Sequence, residues 1–237
     1  MQYDKLDRAS NREVHQFDDY DWWDPEGPLW TLHAINPIRL AFINKHIELA
    51  GKQVLDLGCG GGILTEALAT CGAEVTGLDL NQQAIAKARV HQQNHHPDLD
   101  IDYEAVDIAD WQSRHQDLVY DAVVCMEMLE HTDNPQSIIA SCADLLGPGG
   151  LLFLSTLNRN LKSYLGAVIA GEYLLKLLPR GTHDYGKFIT PTELDQYCTE
   201  AGLNLTDTAG ISYNPLTKSF KQVTHLNINY MVVAEKF

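Results

Sequence analysis

Basic residues are scarce in this chain: 17 lysines and arginines stand against 32 aspartates and glutamates in 237 residues, a formal net charge of −15. Phosphate backbones are bound by basic faces that displace their counterions, so broad nucleic-acid binding is not the expected role. Cysteine is sparse too. Cys59, Cys71, Cys125, Cys142 and Cys198 are odd in number, widely spaced and without a C-x-x-C pair. That pattern argues against a disulfide framework or structural zinc and fits a reducing compartment. Nowhere do about 20 uninterrupted apolar residues occur to span a bilayer, and MQYDKLDRASNREVHQFDDYDWWD has no apolar core of a secretory signal. The expectation is a cytoplasmic protein that can touch a membrane face without crossing it.

What is present is a regular alternation. No internal repeat stands out, and 45% apolar residues in a chain shorter than roughly 250–300 predict one large core. From residue 53 onward, short apolar runs alternate with segments of helical period. Strands are expected at 53–58, 74–80, 101–107, 120–126 and 151–158, with helices over 63–71, 82–93 and 135–146. Gly147-Pro148-Gly149-Gly150 cannot continue a helix. Such alternation implies right-handed crossovers and a parallel sheet covered on both faces. Thr190-Pro191-Thr192-Glu193 reads as the capped start of a further helix. Runs at 205–213 and 225–235, joined by a turn around Asn214-Pro215, read as an antiparallel hairpin closing the sheet. Residues 1–50 are expected as a helical cap over the functional edge, residues 51–237 as the main domain, and residues 159–189 as an insertion.

The strongest chemical signal is Asp56-Leu57-Gly58-Cys59-Gly60-Gly61-Gly62, between a predicted strand and a predicted helix. Glycines allow a tight turn and a close approach of ligand to backbone. Asp79, 21 residues after Gly58, ends the second strand, where a carboxylate can accept both hydroxyls of a ribose. A dinucleotide fingerprint G-x-G-x-x-G fails, because Ile63 stands at the last position. That disfavours a nicotinamide-dependent oxidoreductase. The G-x-G-x-G pattern with Asp56 ahead of it resembles the first motif of class I S-adenosylmethionine-dependent methyltransferases. The resemblance implies a Rossmann-like α/β fold with a seven-stranded, mostly parallel sheet and an antiparallel C-terminal hairpin. It places Gly58 and Gly60 against the cofactor's methionine portion and Asp79 on the ribose. Asp107 either reaches the adenine amino group or is a solvated strand-end acid, and Met126 is expected beneath the adenine ring.

After the fourth strand comes Cys125-Met126-Glu127-Met128-Leu129-Glu130-His131. Coiled as a helical turn, it puts Glu127, Glu130 and His131 on one face, where they can hold a Mg²⁺-like ion; alternatively His131 anchors a loop without metal. This stretch, together with Leu154–Asn160, Gly181-Thr182-His183-Asp184, Trp22-Trp23-Asp24 and Asn36-Pro37-Ile38-Arg39-Leu40, resembles the ubiquinone-biosynthesis O-methyltransferases over nearly the whole chain. The resemblance implies transfer of methyl from S-adenosylmethionine to a phenolic or catechol hydroxyl of a polyprenylated ring. It gives Arg39 the cofactor's carboxylate, which a guanidinium fork suits. It also carries a divalent cation onto Glu127, Glu130 and His131. A phenol with a pKa near 10 needs activation at neutral pH, by a metal or by a base; Glu127 and His131 are the catalytic candidates, and His183 is a second possible base.

Between Arg159 and Lys187 five basic residues face two acids, a local +3. An amphipathic lid over 159–189 that touches anionic lipid at the inner face of the membrane is one expectation; a lid packed on its own core is the other. The expected partners are the polyprenylated acceptor, a transient membrane contact and a biosynthetic complex. A methyltransferase for another small hydroxylated aromatic and a non-catalytic scaffold remain the competing readings.

Overall fold

The computed structural model describes residues 18, 20–160, 185–214 and 216–237. Its centre is an eight-stranded sheet: β1 (Gln53–Leu57), β2 (Glu74–Asp79), β3 (Ile101–Ala105), β4 (Tyr120–Met126), β5 (Leu146–Leu157), β6 (Leu203–Asn214), β7 (Ser219–Val223) and β8 (Asn229–Lys236). The spatial order is β3-β2-β1-β4-β5-β8-β6-β7, with the first five strands parallel and the last three antiparallel to their neighbours. The helices are α1 (Trp30–His46), α2 (Ile63–Thr70), α3 (Gln82–His95), α4 (Ile108–Arg114), α5 (Pro135–Leu145) and α6 (Pro191–Glu200).

The sheet is buried on both faces because its strands carry apolar residues on both. Leu55, Val123, Cys125, Leu152, Leu154 and Val232 point to one side, where Ile139 and Cys142 of α5 and Leu194 and Cys198 of α6 cover them. Their immediate neighbours Val54, Ala122, Val124, Phe153 and Val233 point to the other, under Phe42 and Ile43 of α1 and Leu64 and Leu68 of α2. Side chains alternate with a period of two along a strand, so each continuous apolar run feeds two core layers.

The helix starts are local. Asn81 Oδ1 accepts from the backbone N–H groups of Gln83 and Ala84, capping α3. Thr190 and Glu193 form the reciprocal capping box that opens α6.

Two details differ from the sequence expectation. β5 begins at Leu146 rather than at Leu151: Tyr120 pairs with Leu146, the register shifts, and Ala122 pairs with Leu151, so the glycine-proline stretch is an irregularity within a strand. The C-terminal region holds three strands rather than two. Ser219–Val223 pairs with β6 as the outer arm of a hairpin, and β8 inserts between β5 and β6. The polar alternation of SFKQV, exposed along most of its length, gave no buried-strand signal. No helix among the described residues is long and apolar enough to cross a membrane. Residues 161–184 of the expected lid, with Lys162, Lys176 and His183, lie outside the described residues, as do residues 1–17 and 19 of the expected cap.

Candidate active site

The carboxyl ends of β1, β2 and β4 converge on the glycine turn. Gly58, Gly60 and Gly62 all have positive φ (77°, 54° and 86°), a region that side chains with a Cβ avoid. Space forbids a Cβ as well. At Gly58 it would approach Met128 Cγ to 2.8 Å, at Gly60 and Gly61 it would collide with the Trp22 ring, and at Gly62 with the Tyr103 hydroxyl. The turn is fixed from the sheet by Gly58 and Cys59, whose N–H groups both donate to Leu78 O at 2.7 and 3.1 Å.

Asp79, at the end of β2, faces this turn. Its Oδ2 accepts from Gly60 N at 2.8 Å and its Oδ1 from Asn81 N at 2.8 Å. Burial raises its pKa, and those two N–H groups oppose the rise. Asp56 is buried inside β1, where its Oδ2 accepts from the Thr65 hydroxyl at 2.7 Å. Burial pushes its pKa up to about 6, against the pull of Thr65 and of the Arg39 charge. Asp107 caps α4, accepting from Ala109 N at 2.8 Å.

The segment before β1 closes over the turn. Trp22 packs on Gly60 and Gly61, the Trp23 indole N–H donates to Gly61 O at 3.0 Å, and the Trp23 ring stacks on His91. Asn36 Nδ2 of α1 donates to Ile63 O at 3.1 Å. One turn further along α1 stands Arg39, only 5% exposed. Its Nη2 lies 3.5 Å from Glu127 Oε1, yet among the described residues neither Nε nor Nη2 has a hydrogen-bond partner. A buried guanidinium with vacant donors is costly unless a ligand completes it. These vacant donors and the side-chain-free turn fit a ligand that carries a carboxylate.

Glu127 follows β4 directly and holds φ = 56°, a left-handed conformation rare for a residue with a Cβ. Its N–H donates to Ser155 O at 3.1 Å and Ser155 Oγ at 3.0 Å, and its Oε1 accepts from Asn229 Nδ2. Glu130 is buried, with Oε2 accepting from the Thr156 hydroxyl at 2.9 Å. His131 ends a single 3-10 turn, Leu129–His131. The expected helical face bearing Glu127, Glu130 and His131 therefore does not form. The left-handed Glu127 lies outside the turn and points to Arg39 and Asn229, while Glu130 points to Thr156. No group of three His, Cys, Asp or Glu side chains among the described residues is placed to hold a metal ion. The donors do not fit a divalent cation, and no step is assigned to one. Met126, the last residue of β4, is 7% exposed and lies in the core layer beneath α1.

Of the residues singled out from sequence, Gly60 is bonded to Asp79 in the turn that Gly58 opens, and Arg39 and Glu127 are joined beside it. Trp22, Thr65, Tyr103 and Asn229 carried no role in the sequence reading. Only the adjacency of Trp22-Trp23 to an acidic segment hinted at the first.

A methyltransferase-domain family model matches residues 36–208. A ubiquinone biosynthesis O-methyltransferase from Azoarcus sp. is 50% identical over 96% of this chain and 97% of its own length, and one from Thiobacillus denitrificans is 48% identical over 94% and 96%. Among solved structures, magnesium protoporphyrin IX methyltransferase from Synechocystis with bound S-adenosylhomocysteine shares the fold, with a TM-score of 0.64 at 20% identity, covering 85% of this chain and 82% of that one. The N-methyltransferase NodS from Bradyrhizobium japonicum gives 0.63 at 16% identity, covering 97% and 99%. By sequence the chain belongs to the ubiquinone-biosynthesis O-methyltransferase family, and its fold is that of the class I methyltransferases.

Proposed function

We infer that the chain transfers methyl from S-adenosylmethionine to a phenolic or catechol hydroxyl of a polyprenylated ubiquinone precursor, of the 3-demethylubiquinol or 2-polyprenyl-6-hydroxyphenol type. The observation that carries this reading is Arg39: a buried guanidinium with vacant donors, set beside a turn that admits no side chain. Near-half identity over almost the full length to relatives named for that activity supports the acceptor class.

Arg39 would take the cofactor's carboxylate, Gly58 and Gly60 would line its methionine portion, Asp79 would accept the ribose hydroxyls, and Met126 would pack against the adenine. Bound S-adenosylmethionine supplies a methyl already activated on a cationic sulfur. The protein's work is to align the acceptor and make its oxygen nucleophilic. His131 is the base in this reading: an imidazole near its working pH can take a proton from a phenol of pKa near 10. Glu127 acts on Arg39 rather than on the acceptor.

A polyprenyl tail keeps the acceptor in a bilayer, so the enzyme works at the cytoplasmic face, with residues 159–189 as a contact to anionic lipid and other pathway enzymes as partners. Calorimetric titration with S-adenosylhomocysteine and separately with NADH tests the cofactor: micromolar binding of the first and none of the second is expected. Methyl transfer to a prenylated catechol must then exceed transfer to an unprenylated one. Equal rates would favour a methyltransferase for other small aromatics.

A further inference from the structure

Arg39 and Glu127 are opposite charges set side by side without a hydrogen bond between them. Arg39 Nη2 lies 3.5 Å from Glu127 Oε1, and neither Nη2 nor Nε of the arginine has a hydrogen-bond partner among the described residues. Left to themselves, a guanidinium and a carboxylate close into a bidentate pair with two short N–H···O bonds. Here two other groups hold the carboxylate back. Asn229 Nδ2 of β8 donates to Glu127 Oε1, and the Ser155 hydroxyl of β5 donates to the same oxygen at 3.4 Å. Glu127 Oε2 accepts no hydrogen bond among the described residues, and the side chain keeps 24% of its surface exposed.

The backbone is strained to present this carboxylate. Glu127 holds φ = 56°, a conformation that glycine or asparagine adopts more readily. Strain of this kind persists at sites where the side chain meets a ligand. The next residue, Met128, lies on the glycine turn, since a Cβ at Gly58 would come within 2.8 Å of Met128 Cγ. Glu127 therefore borders the part of the turn assigned above to the cofactor's methionine portion. The other two carboxylates of the turn are engaged. Asp79 accepts N–H groups on both oxygens, and Asp56 is 3% exposed within β1 and bonded to Thr65.

We propose that Glu127 binds the α-ammonium of the cofactor through Oε2, so that Arg39 and Glu127 together recognise the amino-acid end of S-adenosylmethionine as a zwitterion. The proposal rests on the cofactor reading above and deepens it. An α-amino acid carries its carboxylate and its ammonium on one carbon, so a ligand whose carboxylate meets Arg39 brings a cation beside Glu127. The two charges of the protein and the two of the ligand then lie antiparallel, and each gains a partner that the free protein does not supply. The sulfonium is two methylenes farther from that carbon. A carboxylate placed on it would stabilise the charge that methyl transfer discharges, and so would slow the reaction.

Calorimetry on the full chain tests the proposal with two ligands, S-adenosylhomocysteine and its analogue lacking the amino group. Wild type should bind the analogue about 10–100-fold more weakly, the loss of one charge-assisted hydrogen bond. Glu127→Gln should lose a similar factor for S-adenosylhomocysteine and bind the analogue as wild type does, leaving the two ligands within about threefold. Arg39→Lys should weaken both ligands and keep the preference. Asn229→Ala leaves the acid in place but frees it to close on Arg39; it should cut the preference by at least about threefold, and it decides the matter if Glu127→Gln does not fold. An undiminished preference in these two variants would overturn the proposal, as would its loss in Asp56→Asn alone. A Glu127→Gln protein that loses S-adenosylmethionine far more than S-adenosylhomocysteine would overturn it too, because the group met would then be the sulfonium. If wild type binds both ligands equally, only the proposal fails; if it binds neither, the methyltransferase reading fails with it.

Discussion

Arg39 Nη2 stands 3.5 Å from Glu127 Oε1, and this pair ties α1 to the end of β4 beside the glycine turn. The carboxylate that balances the buried guanidinium is itself held by Asn229 and Ser155, from β8 and β5. Arg39 is thus oriented by a carboxylate from one side while its buried Nε has no hydrogen-bond partner among the described residues, donor capacity that a ligand carboxylate can take up.

Arg39→Lys should therefore weaken S-adenosylhomocysteine binding by about 10–30-fold, since a single ammonium cannot reproduce the planar fork. Calorimetry measures it directly. An affinity within twofold of wild type would contradict the assignment of Arg39.

Because Glu127 points to Arg39 and Asn229 and Glu130 to Thr156, magnesium should not stabilise the protein through this segment. The thermal midpoint is expected to be the same after chelator treatment and in millimolar Mg²⁺. A midpoint climbing with metal concentration, as ligand linkage requires, would restore a cation to this segment.

Asp56 gives a pH signature. Its folded pKa of about 6 lies above the ordinary 3.8, so between those values the folded state binds more protons than the unfolded one. The stability that this group contributes is full below about pH 4 and is lost as pH rises through 6. The shift corresponds to about 3 kcal/mol. Urea unfolding should show Asp56→Asn gaining on wild type between about pH 4 and pH 7, with the difference flat above pH 7. A difference that is independent of pH, or of opposite sign, would rule this out.

Gly61→Ala should displace Trp22, because the new methyl would sit inside the indole's position. A loss of about 1–3 kcal/mol is expected, with a change in tryptophan fluorescence. Adding Trp22→Ala should make the alanine at 61 nearly neutral, a coupling that a double-mutant cycle reads. Additive losses would mean that Trp22 does not close the turn.

The parallel sheet was legible because continuous apolar runs such as QVLDL and DAVVCM must be buried on both faces, and because the glycine turn and the Thr190-Pro191-Thr192-Glu193 cap are chemistry within a few residues. β7 was not legible: an exposed edge strand buries little, so SFKQV carries no apolar pattern. The Glu127 segment misled for a different reason. Helical spacing predicted one shared face, but the end of β4 is pinned by Ser155 into a left-handed turn before any helix can begin.

Local sequence thus determined the strands and helices that bury the core, the tight turn at Gly58–Gly62 and the carboxylate 21 residues after its start, since each follows from backbone sterics or hydrophobic period over a short window. Tertiary structure alone decided that Trp22 covers the turn, that Arg39 meets Glu127, and that Asn229, 102 residues further along, completes the pair. Those contacts depend on β8 inserting between β5 and β6 and on α1 folding back over the sheet, and pairing across such separations leaves no periodic trace in the chain.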